Sequence, residues 1–456
     1  MRKNSKIHPS PLHILSPGQM MVAGFVFLIL LGAVLLTSPL SSANGTSTSF
    51  IDALFTATSA VCVTGLVVVD TSIHWSIFGK VVIILLIQVG GLGFMTLGTL
   101  VALIFGKKIN LRQRILIKEA LNQDELSGSV KLIKKVLKYT MVIEGMGAFI
   151  LSFAFIPQFG FLKGIGYSIF TSISSFCNAG FDLMGSISGE YSSIVSYYNR
   201  PLIVFTISAL IILGGIGFPV IINIVNKRHL KKLSLNSKMA LVTTAILIVG
   251  GFLMIFLGEV GHALHGMTLW EKFQVAFFQS VTTRTAGYAT IDLTQFREST
   301  LFVMIILMFI GASPASTGGG IKTTTAAVLF IAVKSFIKNE NEITVQHKRI
   351  NVFTFRKALG IFIIAISIAV LGVYLLSITQ DPKHFDLLSN SFEVSSALAT
   401  VGLSLAGSYH LNSVGKVIIM VLMFTGRVGS LTIFTAFISE NKRMRVRYPE
   451  AKVLVG

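Results

Sequence analysis

The sequence predicts an all-α polytopic membrane protein. Four helix–pore-loop–helix repeats, with eight transmembrane spans, stand in pseudo-fourfold order around a central pore. Three observations carry this reading. The 456-residue chain is 53% hydrophobic and 12% charged, with mean hydropathy +0.78, whereas a soluble domain carries about 25% charged residues. Four short hydroxyl-containing segments each end in one glycine and a large apolar residue: Ser59-Ala-Val-Cys-Val-Thr-Gly65-Leu, Ser174-Ser-Phe-Cys-Asn-Ala-Gly180-Phe, Ser280-Val-Thr-Thr-Arg-Thr-Ala-Gly287-Tyr and Ser396-Ala-Leu-Ala-Thr-Val-Gly402-Leu. Their glycines are spaced 115, 107 and 115 residues apart, a period that signals internal duplication. Finally, Lys and Arg collect on alternate connections.

The elements follow in order. Residues 1–17 form a basic N-terminus with Arg2, Lys3 and Lys6. The first repeat, 18–106, has an apolar run over 20–40, a short helix over 50–60 too short to cross, and a returning span over 76–105. The run 20–40 is long enough to span and is read as a helix rather than a cleaved leader. A cytoplasmic linker, 107–135, precedes the second repeat, 136–226, with segments 136–156, 165–176 and 201–225. A short linker, 227–235, leads to the third repeat, 236–336, with segments 239–257, 270–282 and 301–336. The linker 337–351, the fourth repeat 352–438 (353–376, 387–399 and 414–438) and a cytoplasmic tail 439–456 complete the chain.

Charge orients this topology. Segments 1–17, 107–138, 227–238, 334–357 and 440–456 hold 28 of the 38 Lys and Arg but seven of the 19 acids. Positive charge collects at cytoplasmic ends, so both termini are expected inside and the glycine loops to open outward. The basic inner surface follows from topology and attraction to anionic membrane lipids; it requires no nucleic acid. Cys62 and Cys177 make no disulfide framework and are read as small packing residues.

The glycine loops carry the chemistry. Non-helical backbone at membrane depth survives only where it is buried in protein or lines water. Four such loops are therefore expected to face one aqueous path and present carbonyls to it, as in a cation filter. Helix C-termini aimed at that path favour a cation. The expected ion-binding residues are Val63, Thr64 and Gly65; Asn178, Ala179 and Gly180; Thr285, Ala286 and Gly287; and Thr400, Val401 and Gly402. Asp182 and Asp292, just beyond two of the glycines, either focus cations at the mouth or are ordinary surface acids.

A second feature recurs 24 to 34 residues past each glycine: Gly90-Gly-Leu-Gly93, Gly214-Gly-Ile-Gly-Phe-Pro219, the segment from Gly311 to Lys322, and Gly426-Arg-Val-Gly429. The first two are read as close helix packing through small residues. The third runs Gly311, Ala312, Ser313, Pro314, Ala315, Ser316, Thr317, Gly318, Gly319, Gly320, Ile321, Lys322 and cannot stay helical. Residues 311–322 are expected to form an intramembrane gating loop beneath the filter. Arg427, costly at this depth, is expected to bond its free carbonyls. Arg284 is expected to brace its own loop from behind.

These motifs resemble the Trk/Ktr/HKT superfamily of potassium transporters, and eight spans look most like the membrane subunit of bacterial Ktr systems. The resemblance implies a bacterial plasma-membrane protein that takes up potassium, with sodium as a possible activator and no organic cofactor in this chain. It implies a homodimer with one pore per protomer above an octameric cytosolic ring of nucleotide-binding RCK regulatory subunits. It also ties glycine in all four loops to potassium preference. The sequence itself adds that each loop has one glycine and different neighbours, so fewer equivalent carbonyl rings stack than in potassium channels, and a less selective sodium/potassium transporter is the alternative. An enzyme is disfavoured, since no carboxylate pair, His/Cys cluster or nucleophile–base set lies in the spans. Inverted repeats are disfavoured because all four units begin and end on one side.

Overall fold

A computed structural model describes residues 17–93 and 129–429, apart from 228 and 341. Its principal helices are α1 (Pro17–Thr37), α2 (Phe50–Cys62), α3 (Ile77–Leu92), α4 (Ser129–Phe159), α5 (Phe161–Phe176), α6 (Pro201–Gly215), α7 (Phe218–Lys227), α8 (Leu235–Glu259), α9 (Leu269–Thr282), α10 (Glu298–Phe309), α11 (Thr323–Ile337), α12 (Val352–Thr379), α13 (Leu387–Ala399) and α14 (Ser413–Val428). A two-residue-per-strand hairpin, Thr344–Val345 against Lys348–Arg349, interrupts the otherwise helical chain in the expected linker.

Four units repeat one plan: a long helix, a short buried helix, and a returning helix. The long helices α1, α4, α8 and α12 are each long and apolar enough to cross a membrane. They expose Phe27, Val34, Phe149, Phe153, Ile246, Leu257, Val370 and Tyr374. A belt of large apolar side chains is what lipid contact requires and what a soluble protein avoids. The short helices are exposed mainly at their entry, and their C-terminal halves are mostly buried. Side-chain caps fix several starts, among them the reciprocal Thr268–Glu271 capping box on α9 and Asp386 on α13.

One packing contact shows the fourfold relation. A glycine of each long helix lies against a leucine of its returning helix: Gly32 on Leu86, Gly147 on Leu210, Gly251 on Leu307 and Gly372 on Leu422. Each leucine stands four residues before the glycine cluster of its helix. Between units the order is cyclic. The returning helices α3, α6, α10 and α14 pack on the short helices α5, α9, α13 and α2 of the next unit.

The third returning helix is broken where expected, and the other three depart from the expected unbroken spans. α3 ends at Leu92 and α14 at Val428, each followed by a glycine at positive φ, and the remainders of 76–105 and 414–438 lie outside the described residues. The expected helix 201–225 breaks at Ile216–Gly217 and bends by 95°. Gly217 has φ 92°, and the freed Phe218 N–H donates to Ala315 O at 2.9 Å. The third returning helix is interrupted between Phe309 and Thr323. The long helix of the second unit starts at Ser129, within the expected linker 107–135.

Candidate functional site

The four short helices end at the same place. α2, α5, α9 and α13 each deliver their chain into a loop whose residue two before the glycine is left-handed: Val63 (φ 57°), Asn178 (φ 59°), Thr285 (φ 71°) and Thr400 (φ 52°). Three of these are β-branched, a class for which positive φ is a genuine outlier. Such strain persists only where the surroundings over-determine it. The glycines follow at φ 93°, 68°, 83° and 95° for Gly65, Gly180, Gly287 and Gly402.

Space makes glycine obligatory as well. A Cβ on Gly180 would stand 2.5 Å from Ala286 O, and one on Gly287 would stand 2.5 Å from Val401 O. The same addition at Gly65 meets Ala179 O, and at Gly402 it meets Thr64 O. The four contacts close a ring, 65 to 180 to 287 to 402 and back to 65. Thr64, Ala179, Ala286 and Val401, the residues before each glycine, line it with backbone carbonyls.

The loops are fastened from behind. Thr64 N, Ala179 N and Val401 N donate to Ser59 O, Ser174 O and Ser396 O at 2.7–2.8 Å; the third loop uses Ala286 N to Thr282 O at 3.0 Å. Ser59 and Ser396 hydroxyls accept from the amides of Gly65 and Gly402, both at 3.0 Å. Ser174 and Thr282 hydroxyls donate to Phe181 O and Tyr288 O at 2.7 Å. With these amides held by their own helices, the loops keep carbonyls for the axis. The helix C-termini add partial negative charge.

The glycine-rich segment lies directly against this ring. Side chains added at Gly318 and Gly319 would collide with the hydroxyls of Thr285 and Thr400. Thr317 Oγ1 donates to Phe176 O at 3.1 Å and to Asn178 Oδ1 at 3.3 Å. Asn178 Nδ2 in turn reaches Thr285 Oγ1 and Arg284 O, both at 3.3 Å. On its other flank the segment hangs from the broken second unit: Ser313 N donates to Gly215 O at 2.9 Å and Thr317 N to Gly214 O at 3.2 Å. Pro314 O crowds Gly217, Ala315 is left-handed at φ 52°, and Gly311 and Gly320 pack together. Ala312 N closes onto Gly319 O at 3.2 Å, and Ser313 shares a hydrogen bond with Thr323 at 2.8 Å. Ser316 is half-buried.

Two cations hold it. Arg427 donates to Thr317 O and Gly90 O, and to Gly91 O at 3.1 Å. Lys322 Nζ donates to Gly318 O at 2.8 Å. Arg284 lies behind its loop, with Nη2 3.3 Å from Thr244 Oγ1 and 3.5 Å from Gly311 O. The glycine clusters of the first, second and fourth units also serve close approach, because Gly90, Gly214 and Gly426 face Val61 O, Phe176 O and Leu398 O at the ends of the short helices.

Several organising residues carried no sequence signal because each is a lone acid. Asp70 accepts from the amides of Ser72, Ile73 and Tyr191 at 2.8–3.0 Å. Glu259 accepts from Arg297 N at 3.0 Å and from Thr300. Glu393 accepts from Leu405 N at 3.2 Å, Ser408 at 3.0 Å and Ser404. Asp292 caps its own turn through Thr294, so it behaves as a local surface acid. Burial and the neighbouring Asp70 carboxylate push Asp182 up to about 7, while the Met184 amide opposes the shift.

Long helices apolar enough to cross a membrane, gathered around four glycine loops that close a ring, define a multi-pass membrane protein. The chain belongs to the TrkH family of cation transport proteins, which it matches over residues 11–446. It is 43% identical to the potassium/sodium uptake protein NtpJ of Enterococcus hirae over 97% of this chain and 98% of that one. It is 39% identical to the Ktr system potassium uptake protein B of Bacillus subtilis, covering 97% of both. The fold is similar to the crystal structure of the potassium transporter TrkH from Vibrio parahaemolyticus, with TM-score 0.72, 18% identity, and coverage of 96% of this chain and 87% of that one.

Proposed function

We propose that this protein takes up potassium through a filter made by the four glycine loops, gated by residues 311–322. The ring closure at Gly65, Gly180, Gly287 and Gly402 is the observation that carries the reading. Carbonyls beside those glycines replace the ion's water, and the short helices' C-termini stabilise its charge. The ion then meets the segment that contacts Thr285 and Thr400 and is tied by Arg427 and Lys322. Conduction requires that segment to move aside. The curated relatives' names support potassium as the substrate, and one also names sodium.

The mouth faces outward and both termini lie inside, supported by the basic connections 227–238 and 334–357. The relatives named for a Ktr system support a multi-component assembly. Its form here is a homodimer above a cytosolic ring of RCK-type nucleotide-binding subunits, with sodium as activator. A second reading, a less selective sodium/potassium pathway, is favoured by the non-identical residues Val63, Asn178, Thr285 and Thr400. Rubidium uptake in cells lacking other potassium systems, with sodium as competitor, tests both. Uptake resisting excess sodium supports potassium selectivity, equal competition supports the second reading, and no uptake above empty cells overturns both.

A further inference from the structure

The four-unit correspondence exposes one position where the second unit breaks the pattern. Three residues before the packing glycines Gly32, Gly147, Gly251 and Gly372 stand Ile29, Glu144, Ile248 and Ala369. The correspondence is structural as well as numerical. Ser172 Oγ donates to Glu144 O at 2.7 Å, as Ser280 Oγ donates to Ile248 O at 2.7 Å. Three units fill the position with an apolar side chain; the second places a carboxyl group inside a membrane-crossing helix. The returning helix of the first unit departs at the matching seam. Gln88 lies two residues before Gly90, where the other units have Ile212, Phe309 and Phe424. The two departures meet: Gln88 Nε2 donates to Glu144 Oε2 at 3.2 Å.

Polar groups at this depth are costly and are retained where they serve function. These two converge on a glycine loop. Cys177 Sγ lies 3.8 Å from Glu144 Oε1 and 3.7 Å from Gln88 Oε1. A Cβ on Gly91 would stand 2.7 Å from the same sulfur, so the thiol is wedged between α3 and the carboxyl group. The next residue is left-handed Asn178, whose amide holds Thr285 and accepts from Thr317. Gly90 and Gly91, two and three residues from Gln88, receive Arg427. Hydrogen bonds and packing therefore run unbroken from Glu144 to the second loop and to the glycine-rich segment.

We propose that Glu144 is a positioning residue for ion discrimination, which with Gln88 clamps Cys177 and holds Asn178 in the register that the other three loops meet. The inference rests on the glycine loops being the filter. Its action is by hydrogen bonding, since Cys177 and Gln88 are neutral partners and no cation bonds the carboxyl group among the described residues.

The test measures rubidium KM, maximal rate and the sodium inhibition constant, each normalised to folded, purified protein. E144L should weaken the preference for rubidium over sodium about five- to tenfold, the scale of one lost buried hydrogen bond. E144Q should restore most of it, because the Gln88 amide can turn to offer its oxygen. Q88L should shift the same ratio in the same direction, and E144L/Q88L should be no worse than E144L alone, as expected within one network. If E144L does not fold, Q88L against E144Q decides the matter. Wild-type discrimination in folded Q88L, or E144Q as impaired as E144L, would overturn the proposal. G402S in the same assay separates the two claims. If it leaves discrimination unchanged, the filter reading fails and this inference with it. If it alters discrimination while E144L and Q88L do not, this inference alone fails.

Discussion

At the scale of the residue, the four glycine loops combine two constraints that are easily confused. Glycine at 402 answers both a positive φ of 95° and the approach of Thr64 O, so Gly402→Ser moves the neighbouring loop as well as its own. On the proposed reading, the displaced carbonyl is one of the ring that would replace the ion's hydration shell. Rubidium preference over sodium should fall about fivefold, equivalent to about 1 kcal/mol. Gly93 shares the positive φ, at 80°, but a Cβ there meets nothing within 4 Å. Gly93→Ser should therefore leave the ratio within about twofold at matched folded protein. Asp182 offers a different residue-scale test. Its elevated pKa means the charge is present above about 7 and lost below it. Apparent rubidium affinity should weaken as outer pH falls from 8 to 6, because a negative group at the mouth disappears. Asp182→Asn should flatten that dependence at the weaker affinity; an unaltered pH profile would remove Asp182 from the mouth.

Elements show what the sequence could and could not reveal. The interruption at 311–322 was legible because Pro314 and three consecutive glycines leave a helix no way through. The break in the second returning helix was not. Gly214, Gly215 and Gly217 in an apolar run read equally as a packing face. What bends that helix is Ala315 from another unit accepting the Phe218 amide. Arg427 was expected at the segment, yet its parallel grip on Gly90 O and Gly91 O joins the first unit to the same knot. The segment is thus anchored on several sides and short of helical hydrogen bonds. If it obstructs the path, deleting part of 312–319 should raise normalised rubidium uptake severalfold with the ion ratio nearly intact. Arg427→Ala should act the same way more weakly, since it removes anchors and keeps the length. Normalised uptake at or below wild type in the deletion would make the segment a structural plug instead.

The whole molecule is a ring closed by its own ends, and that closure was the least legible feature. Duplication, composition and charge placed four units around an axis, but no pattern within a unit names its partner across a seam. The seam between the last unit and the first is a case in point. Lys416 at the start of α14 meets Asp52 on α2 at 2.6 Å, with 15% and 21% of the two side chains exposed, across 364 residues of chain. Neither residue stands in a motif. The pair sits where α14 packs on α2, the helix that ends at Cys62 and leads into the Gly65 loop. Exposed ion pairs contribute about 0–1 kcal/mol, and partial burial places this one at the upper end of that range. Lys416→Ala should lower the melting temperature of the detergent-solubilised protein by about 1–2 °C, the scale expected of 1 kcal/mol in a chain this long. Asp52→Ala should do the same, and the double variant should fall by little more than either single change, because both remove one interaction. Sodium competition should stay at wild type in all three, since the Gly65 and Gly402 amides are held by the Ser59 and Ser396 hydroxyls rather than by the pair. Additive losses in the double variant would show two independent surface charges and would separate ring closure from this contact.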